Sequence, residues 1–161
     1  MVTDAIEASG VLSSDLCWLL ARASHALTTE LTAALEDLGI SPRTHAVLVT
    51  AMTGELTQSE IARVVGLDKT TMVVTVDELE AEGLAERRPS RSDRRARVIA
   101  VTEAGRVKAR EAAKVLDRLR DDVLSVLAPD ERDTFLRALG RLACGRLAEP
   151  VPCAHPVRRR G

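Results

Sequence analysis

The sequence predicts a mainly α protein that carries one short antiparallel hairpin. Three observations predict it. Apolar residues recur at steps of three and four over long stretches near both ends of the chain, which is the period of an amphipathic helix. A period-two stretch begins at Leu84 and follows two short helical segments. Aromatic residues are almost absent, with one Trp, one Phe and no Tyr, so the core must be built from Leu, Val, Ala and Ile. Such a core suits close-packed helices better than an all-β sandwich.

Residues 1–10 are polar and read as a flexible tail. From Val11 the apolar positions Leu12, Leu16, Leu19, Leu20, Ala23, Leu27, Leu31, Leu35 and Leu38 describe one long helix over 11–38, stopped at Gly39. Ser41-Pro42 reads as an N-cap followed by proline in the first turn, opening a short helix through Val47 and Leu48 to about Met52. Thr53-Gly54-Glu55 is a turn, and Leu56 is placed for a one-residue strand bridge. Thr57 and Glu60 form a capping box for a helix with Ile61, Ala62 and Val65, ended by Gly66. Asp68 caps the next helix, which holds Met72, Val76 and Leu79 on one face and stops at Gly83. The hairpin from Leu84 has Pro89-Ser90-Arg91-Ser92-Asp93 as its tip. Thr102-Glu103 opens a long helix carrying Val107, Val115, Leu116, Leu119, Val123 and Leu127. Pro129 punctuates it before a last helix with Phe135, Leu136, Leu139 and Leu142. The segment 149–161, with three prolines and Arg158-Arg159-Arg160, reads as a second flexible tail.

At 161 residues the chain is long enough to bury a core without disulfides or metal. Its three cysteines, Cys17, Cys144 and Cys153, are odd in number and lack metal-ligand spacing, so no metal and no cofactor is expected. No apolar run is long enough to span a bilayer, and no signal peptide is evident; a cytoplasmic location is expected. Net charge is −1, yet six arginines (Arg87, Arg88, Arg91, Arg94, Arg95 and Arg97) stand against two acids between Glu86 and Arg97. A local basic cluster of this kind fits a phosphate backbone whatever the net charge. The alternative is a solvated loop.

Two short helices joined by a tight glycine turn, followed by an antiparallel hairpin, make a winged helix-turn-helix over 41–102. The long helices over 11–38 and 103–148 flank it. Those helices have more apolar face than a monomer would cover, so they are expected to form a dimerisation domain. Thr57 and Gln58 support the first helix of the pair. The second helix is left with an outer face of Lys69, Thr70, Thr71, Val73, Val74 and Asp77. Threonine can read base edges and thymine methyls, and Lys69 can reach guanine or phosphate. Val73 and Val74 are costly on the surface of a soluble domain unless something covers them, and thymine methyls would. At the hairpin tip Arg91, Asp93, Arg94 and Arg95 would project toward DNA, Asp93 orienting a guanidinium.

The run LTQSEIARVVGLDKTTMVVTVDELEAEGLAERRPSRSDRRARVIAVTEAGR, residues 56–106, resembles the MarR family of bacterial transcriptional regulators. It has that family's helix-turn-helix cadence, the Gly-Leu pair after the second helix, the Asp-Arg-Arg wing and the Thr-x-x-Gly close at Thr102 to Gly105. The resemblance implies a homodimeric repressor, not an enzyme, bound to a pseudo-palindromic double-stranded operator and released by a small phenolic or aromatic ligand. It assigns Arg95 to the minor groove and Arg94 to a phosphate or to Asp93. It also implies a ligand crevice, which Arg22, His25, Arg43 and His45 would line if they are not simply surface groups.

Two other readings stay open. Leu16-Cys17-Trp18 resembles the peroxide-sensing OhrR branch, which would make Cys17 a redox sensor; the tyrosines that orient the thiolate there are absent, and a packing role is the alternative. A winged helix that binds only protein would not need the arginine cluster. Against an enzyme, the chain has no Gly-rich phosphate loop, no nucleophile elbow and no His-x-x-x-His.

Overall fold

The computed structural model describes residues 12–91, 95–149 and 151. Contacts divide the chain into two units, Met1–Leu119 and Arg120–Gly161.

In the first unit, Asp15 caps α1 (Leu16–Leu35), its carboxylate accepting from the Trp18 N–H at 2.7 Å. The helix therefore does not run on from Val11: Asp15 is extended, and only a short 3-10 turn, Leu12–Ser14, precedes it. A second 3-10 turn, Glu36–Leu38, replaces the predicted last α-helical turn. Ser41 caps α2 (Pro42–Ala51) with its hydroxyl 3.0 Å from the Thr44 N–H, and Pro42 sits in the first turn as the sequence predicts. Next come α3 (Gln58–Val65), α4 (Lys69–Ala81), and the hairpin of β1 (Ala85–Pro89) and β2 (Arg97–Val101). The strand register pairs Arg87 with Ile99 and Arg88 with Val98. The predicted bridge forms as Thr57 with Val98, while the Leu56 carbonyl accepts from Ile99 N–H at 3.0 Å.

The core of this unit gathers Leu35, Val47, Leu48, Ile61, Met72, Val76, Leu79 and Ile99, with Ala112 of α5 (Glu103–Val123). It is aliphatic, as the composition requires. Thr75 is also fully buried, because its hydroxyl donates to the Thr71 carbonyl at 2.8 Å and needs no water. Lys108 of α5 donates to the Leu38 carbonyl at 3.0 Å, satisfying an open carbonyl where the chain leaves the second 3-10 turn.

The second unit begins within α5, which ends at Val123 rather than continuing to Leu127; a 3-10 turn, Leu124–Val126, follows. Pro129 opens α6 (Pro129–Arg141), with the Ala128 N–H donating to Glu131 at 2.8 Å. A π-helical turn, Leu142–Arg146, extends it. Among the described residues no helix is long and apolar enough to cross a membrane.

Candidate nucleic-acid interface

Local capping chemistry sets the geometry of α3 and α4. Glu60 accepts from the Thr57 N–H at 2.7 Å and from the Thr57 hydroxyl at 2.8 Å, and the Glu60 N–H returns a bond to that hydroxyl at 3.3 Å. The two bonds to its carboxylate, that from the Thr57 N–H first, hold the Glu60 carboxyl below its ordinary range. Gly66 then takes a left-handed conformation (φ 76°), which lets the Leu67 N–H reach back to the Ala62 carbonyl at 2.9 Å and turns the chain sharply into α4. Asp68 starts α4, accepting from the Thr71 N–H at 2.9 Å and the Thr71 hydroxyl at 2.5 Å. The hydroxyl bond leads in depressing the Asp68 carboxyl.

The buried stripe of α4 is Met72, Thr75, Val76 and Leu79. Its outer face presents Lys69, Thr70, Val73 and Val74, the two valines 38% and 48% exposed. Thr71 is only half-exposed, and its hydroxyl is engaged by the cap. Gln58, at the start of α3, accepts from Arg87 Nε of β1 at 3.4 Å.

The hairpin is anchored at two points that sequence reasoning missed. Glu55, in the turn before α3, accepts from the Arg91 N–H at 3.0 Å and from the buried Ser90 hydroxyl at 2.9 Å, and lies 3.4 Å from Arg91 Nε. The bond from the Arg91 N–H is the main cause that lowers the Glu55 carboxyl. Arg87, counted above with the phosphate-facing arginines, is instead turned toward α4, donating to Asp77 at 2.7 Å and to Glu80. No periodicity signals either anchor, since Glu55 and Arg91 lie far apart in the chain. Arg91 itself remains 84% exposed, and Arg95 is exposed. Asp93 and Arg94 lie outside the described residues.

Thr102 closes the wing onto α5. Its hydroxyl donates to the Gly83 carbonyl at 2.7 Å and accepts from the Gly105 N–H at 3.1 Å, and its own N–H donates to the Leu84 carbonyl at 3.0 Å.

The four residues expected to line one crevice do not converge. An open groove of about 710 Å³ lies between α1 and the entry to α2, lined by His25, Thr28, Thr29, Thr32, Glu36 and Ser41 among others. Only His25 of the four is there. Arg22 lies over the Trp18 ring at 5.6 Å, Arg43 reaches Glu78 at 3.5 Å, and His45 holds an unpartnered buried Nε2, burial pushing its pKa down. Cys17 is exposed in the first turn of α1. Among the described residues no cluster of three His, Cys, Asp or Glu side chains is placed to hold a metal.

A sequence model of the MarR family matches residues 38–96, from the end of the turn after α1 through α2, α3, α4 and β1 to the residue before β2. The chain is also 31% identical to CouR from Rhodococcus jostii RHA1, in a crystal structure bound to p-coumaroyl-CoA; the match covers 84% of this chain and 96% of CouR, with a TM-score of 0.76. The chain belongs to the MarR family. CouR, described as a transcriptional repressor, also matches in a structure bound to a 23-mer DNA duplex, at 30% identity over 83% of this chain and 96% of that one, with a TM-score of 0.76. A MarR family protein of Mycobacterium tuberculosis in complex with salicylic acid matches at 29% identity over 81% of this chain and 99% of its own, with a TM-score of 0.68. The chain is thus a MarR-type transcriptional regulator with a winged-helix fold, and not an enzyme.

Proposed function

We propose that this MarR-family chain is a homodimeric repressor that binds a pseudo-palindromic double-stranded operator and is released by a small aromatic acid. In this reading α4 enters the major groove, with Lys69 and Thr70 on base edges or phosphate and Val73 and Val74 against thymine methyls. The wing follows the flanking minor groove with Arg91, Asp93, Arg94 and Arg95. The observation that carries the reading is the outer face of α4: two exposed valines beside Lys69 and Thr70, on a helix locked to an arginine hairpin. CouR on its DNA duplex supports it. Such a regulator works in the cytoplasm, where the DNA is.

The dimer rests on apolar surface left open in each unit. Leu16, Leu19 and Leu27 are exposed along α1, as are Phe135, Leu136 and Leu142 in the second unit. A second copy would cover them. For the ligand, the groove over α1 has the size of a small-molecule site. Its threonine hydroxyls donate back to carbonyls one turn earlier (Thr28 to Ser24 at 2.7 Å, Thr32 to Thr28 at 2.8 Å), which leaves their methyls for an aromatic ring. His25 is then the group to meet a carboxylate. The salicylic acid complex of the mycobacterial relative supports a ligand of that class.

The test is selection of bound fragments from random-sequence duplex DNA by the purified protein. The expected result is one enriched site with two-fold symmetry and half-sites about one helical turn, roughly 34–36 Å, apart, released by added salicylate. Sequence-blind recovery would overturn the reading and favour a winged helix that binds protein alone.

A further inference from the structure

Arg87 stands inside the basic run, yet its guanidinium is committed within the protein. Nη2 donates to Asp77 Oδ1 at 2.7 Å, Nη1 donates to Glu80 Oε2, and Nε donates to Gln58 Oε1 at 3.4 Å. The Arg87 backbone N–H adds a bond to Glu80 Oε1 at 2.6 Å. One residue of β1 is therefore tied to α3 by one bond and to two residues of α4 by three. Its side chain is 27% exposed, and one positive charge faces two carboxylates. That cluster is net negative and a poor partner for phosphate.

The covalent link between α4 and β1 is short and contains Gly83 in a left-handed conformation (φ 68°), a place where the backbone can pivot. The register explains why Arg87 is the residue that bridges it. Ser90 N–H donates to the Ala96 carbonyl, so the hydrogen-bonded pairs of the hairpin are 90 with 96 and 88 with 98. Arg87 and Ile99, between them, direct their N–H groups away from the hairpin. Ile99 spends its N–H on Leu56, and Arg87 spends its own on Glu80. The outer edge of β1 is thus sewn to α4 by the same residue whose guanidinium clasps Asp77.

We propose that Arg87 is a positioning residue, which fixes the wing against the recognition helix at one angle through Asp77, Glu80 and Gln58 and makes no contact with nucleic acid. The proposal rests on the DNA-binding reading above. It matters because α4 and the wing must engage adjacent grooves together, and a pivot at Gly83 would divide one bivalent contact into two weaker ones.

The experiment measures affinity for the duplex recovered by selection, over a salt series, for full-length wild type, Arg87→Lys, Arg87→Gln and Asp77→Asn. Lysine keeps the charge but lacks the planar fork that reaches three acceptors. Loss of charge-assisted hydrogen bonds of this kind predicts about a tenfold fall in affinity for both Arg87 variants. The slope of log K against log salt should stay at the wild-type value. Asp77→Asn, altered at an exposed partner and checked to melt as wild type, should also weaken binding even though it removes a negative charge. Full affinity in Arg87→Lys, a slope reduced by about one per subunit in Arg87→Gln, or tighter binding by Asp77→Asn would overturn the proposal. If wild type selects no site, the DNA reading falls, and amide exchange decides the positioning role. The Arg88, Val98 and Ile99 amides should exchange faster in Arg87→Lys while core amides of α2 do not; an unchanged wing would overturn it.

Discussion

Gly105 lies in the first turn of α5, where the helix passes against the chain that enters the wing. A Cβ built there would fall far inside van der Waals contact of the Leu84 carbonyl oxygen and 2.8 Å from Val101 Cγ1. Two opposing effects meet at Gly105→Ala. Alanine is the better helix former, by about 1 kcal/mol in a helix interior. The methyl, however, meets backbone, which cannot rotate aside, and overpacking of this kind costs about 1–3 kcal/mol. The obstructed oxygen also accepts from the Thr102 N–H at 3.0 Å, while the single proton of the Thr102 hydroxyl, 3.1 Å away, goes chiefly to the Gly83 carbonyl. Moving α5 off that oxygen forfeits about 1 kcal/mol for the N–H bond. Together with about 1–3 kcal/mol of overpacking, and against about 1 kcal/mol of helix propensity, this leaves a net destabilisation of about 2 kcal/mol. With an unfolding slope of roughly 2 kcal/mol per molar urea for a chain this size, the midpoint should fall by about 1 M. Urea unfolding of Gly105→Ala and wild type at equal protein concentration measures it. A midpoint equal to or above wild type would refute the reasoning, since helix propensity alone would then have decided the outcome.

Four further outcomes are expected. The carboxyls of Glu55, Glu60 and Asp68 are all held down by hydrogen bonds in the folded state, so they bind protons less readily than in the unfolded chain. The stability they lend is complete above the ordinary carboxylate range, about pH 4–4.5, and is lost as pH falls through it and below. Urea midpoints at pH 6 and pH 3 should show that decline, and Asp68→Asn should make it shallower; equal midpoints would contradict it. Glu55→Ala should free the hairpin from the α2–α3 turn and speed exchange of the Arg91 amide, read by hydrogen exchange, with the core amide of Leu48 as an unaffected reference. Replacing thymine by uracil in the selected duplex should weaken wild type about five- to tenfold, as loss of about 1 kcal/mol per methyl contact implies, and weaken Val74→Ala less. Leu19→Glu with Leu27→Glu should sediment as a monomer; a persistent dimer would place the interface elsewhere.

The parts of this fold that were legible in the sequence are those decided within a few residues. Ser41-Pro42, Thr57 with Glu60, and Asp68 announce three helix starts, because a short polar side chain satisfies the open N–H groups of its own helix. Met72, Val76 and Leu79 show their shared face through spacing. Thr75 was hidden, because a threonine that bonds to its own helix buries like an apolar residue. The long-range ties were harder. Arg87 has the same letter as its neighbours, and only the pleat of β1 turns it toward Asp77 and Glu80 rather than outward. Glu55 sits in an unremarkable turn until the hairpin folds over it. The four residues named for a crevice are spread apart for a related reason: Arg22 and Arg43 are near His25 and His45 in sequence, but Arg22 lies over Trp18 and Arg43 reaches Glu78.

The central claim is that α4 and the wing read DNA together as one surface. Its most direct test is a salt series on the selected duplex with wild type and Arg95→Ala. The account predicts affinity lower by at least about tenfold, and a log–log salt slope shallower by about one for each subunit's lost contact. An Arg95→Ala protein that keeps wild-type affinity and slope at every salt concentration would contradict it.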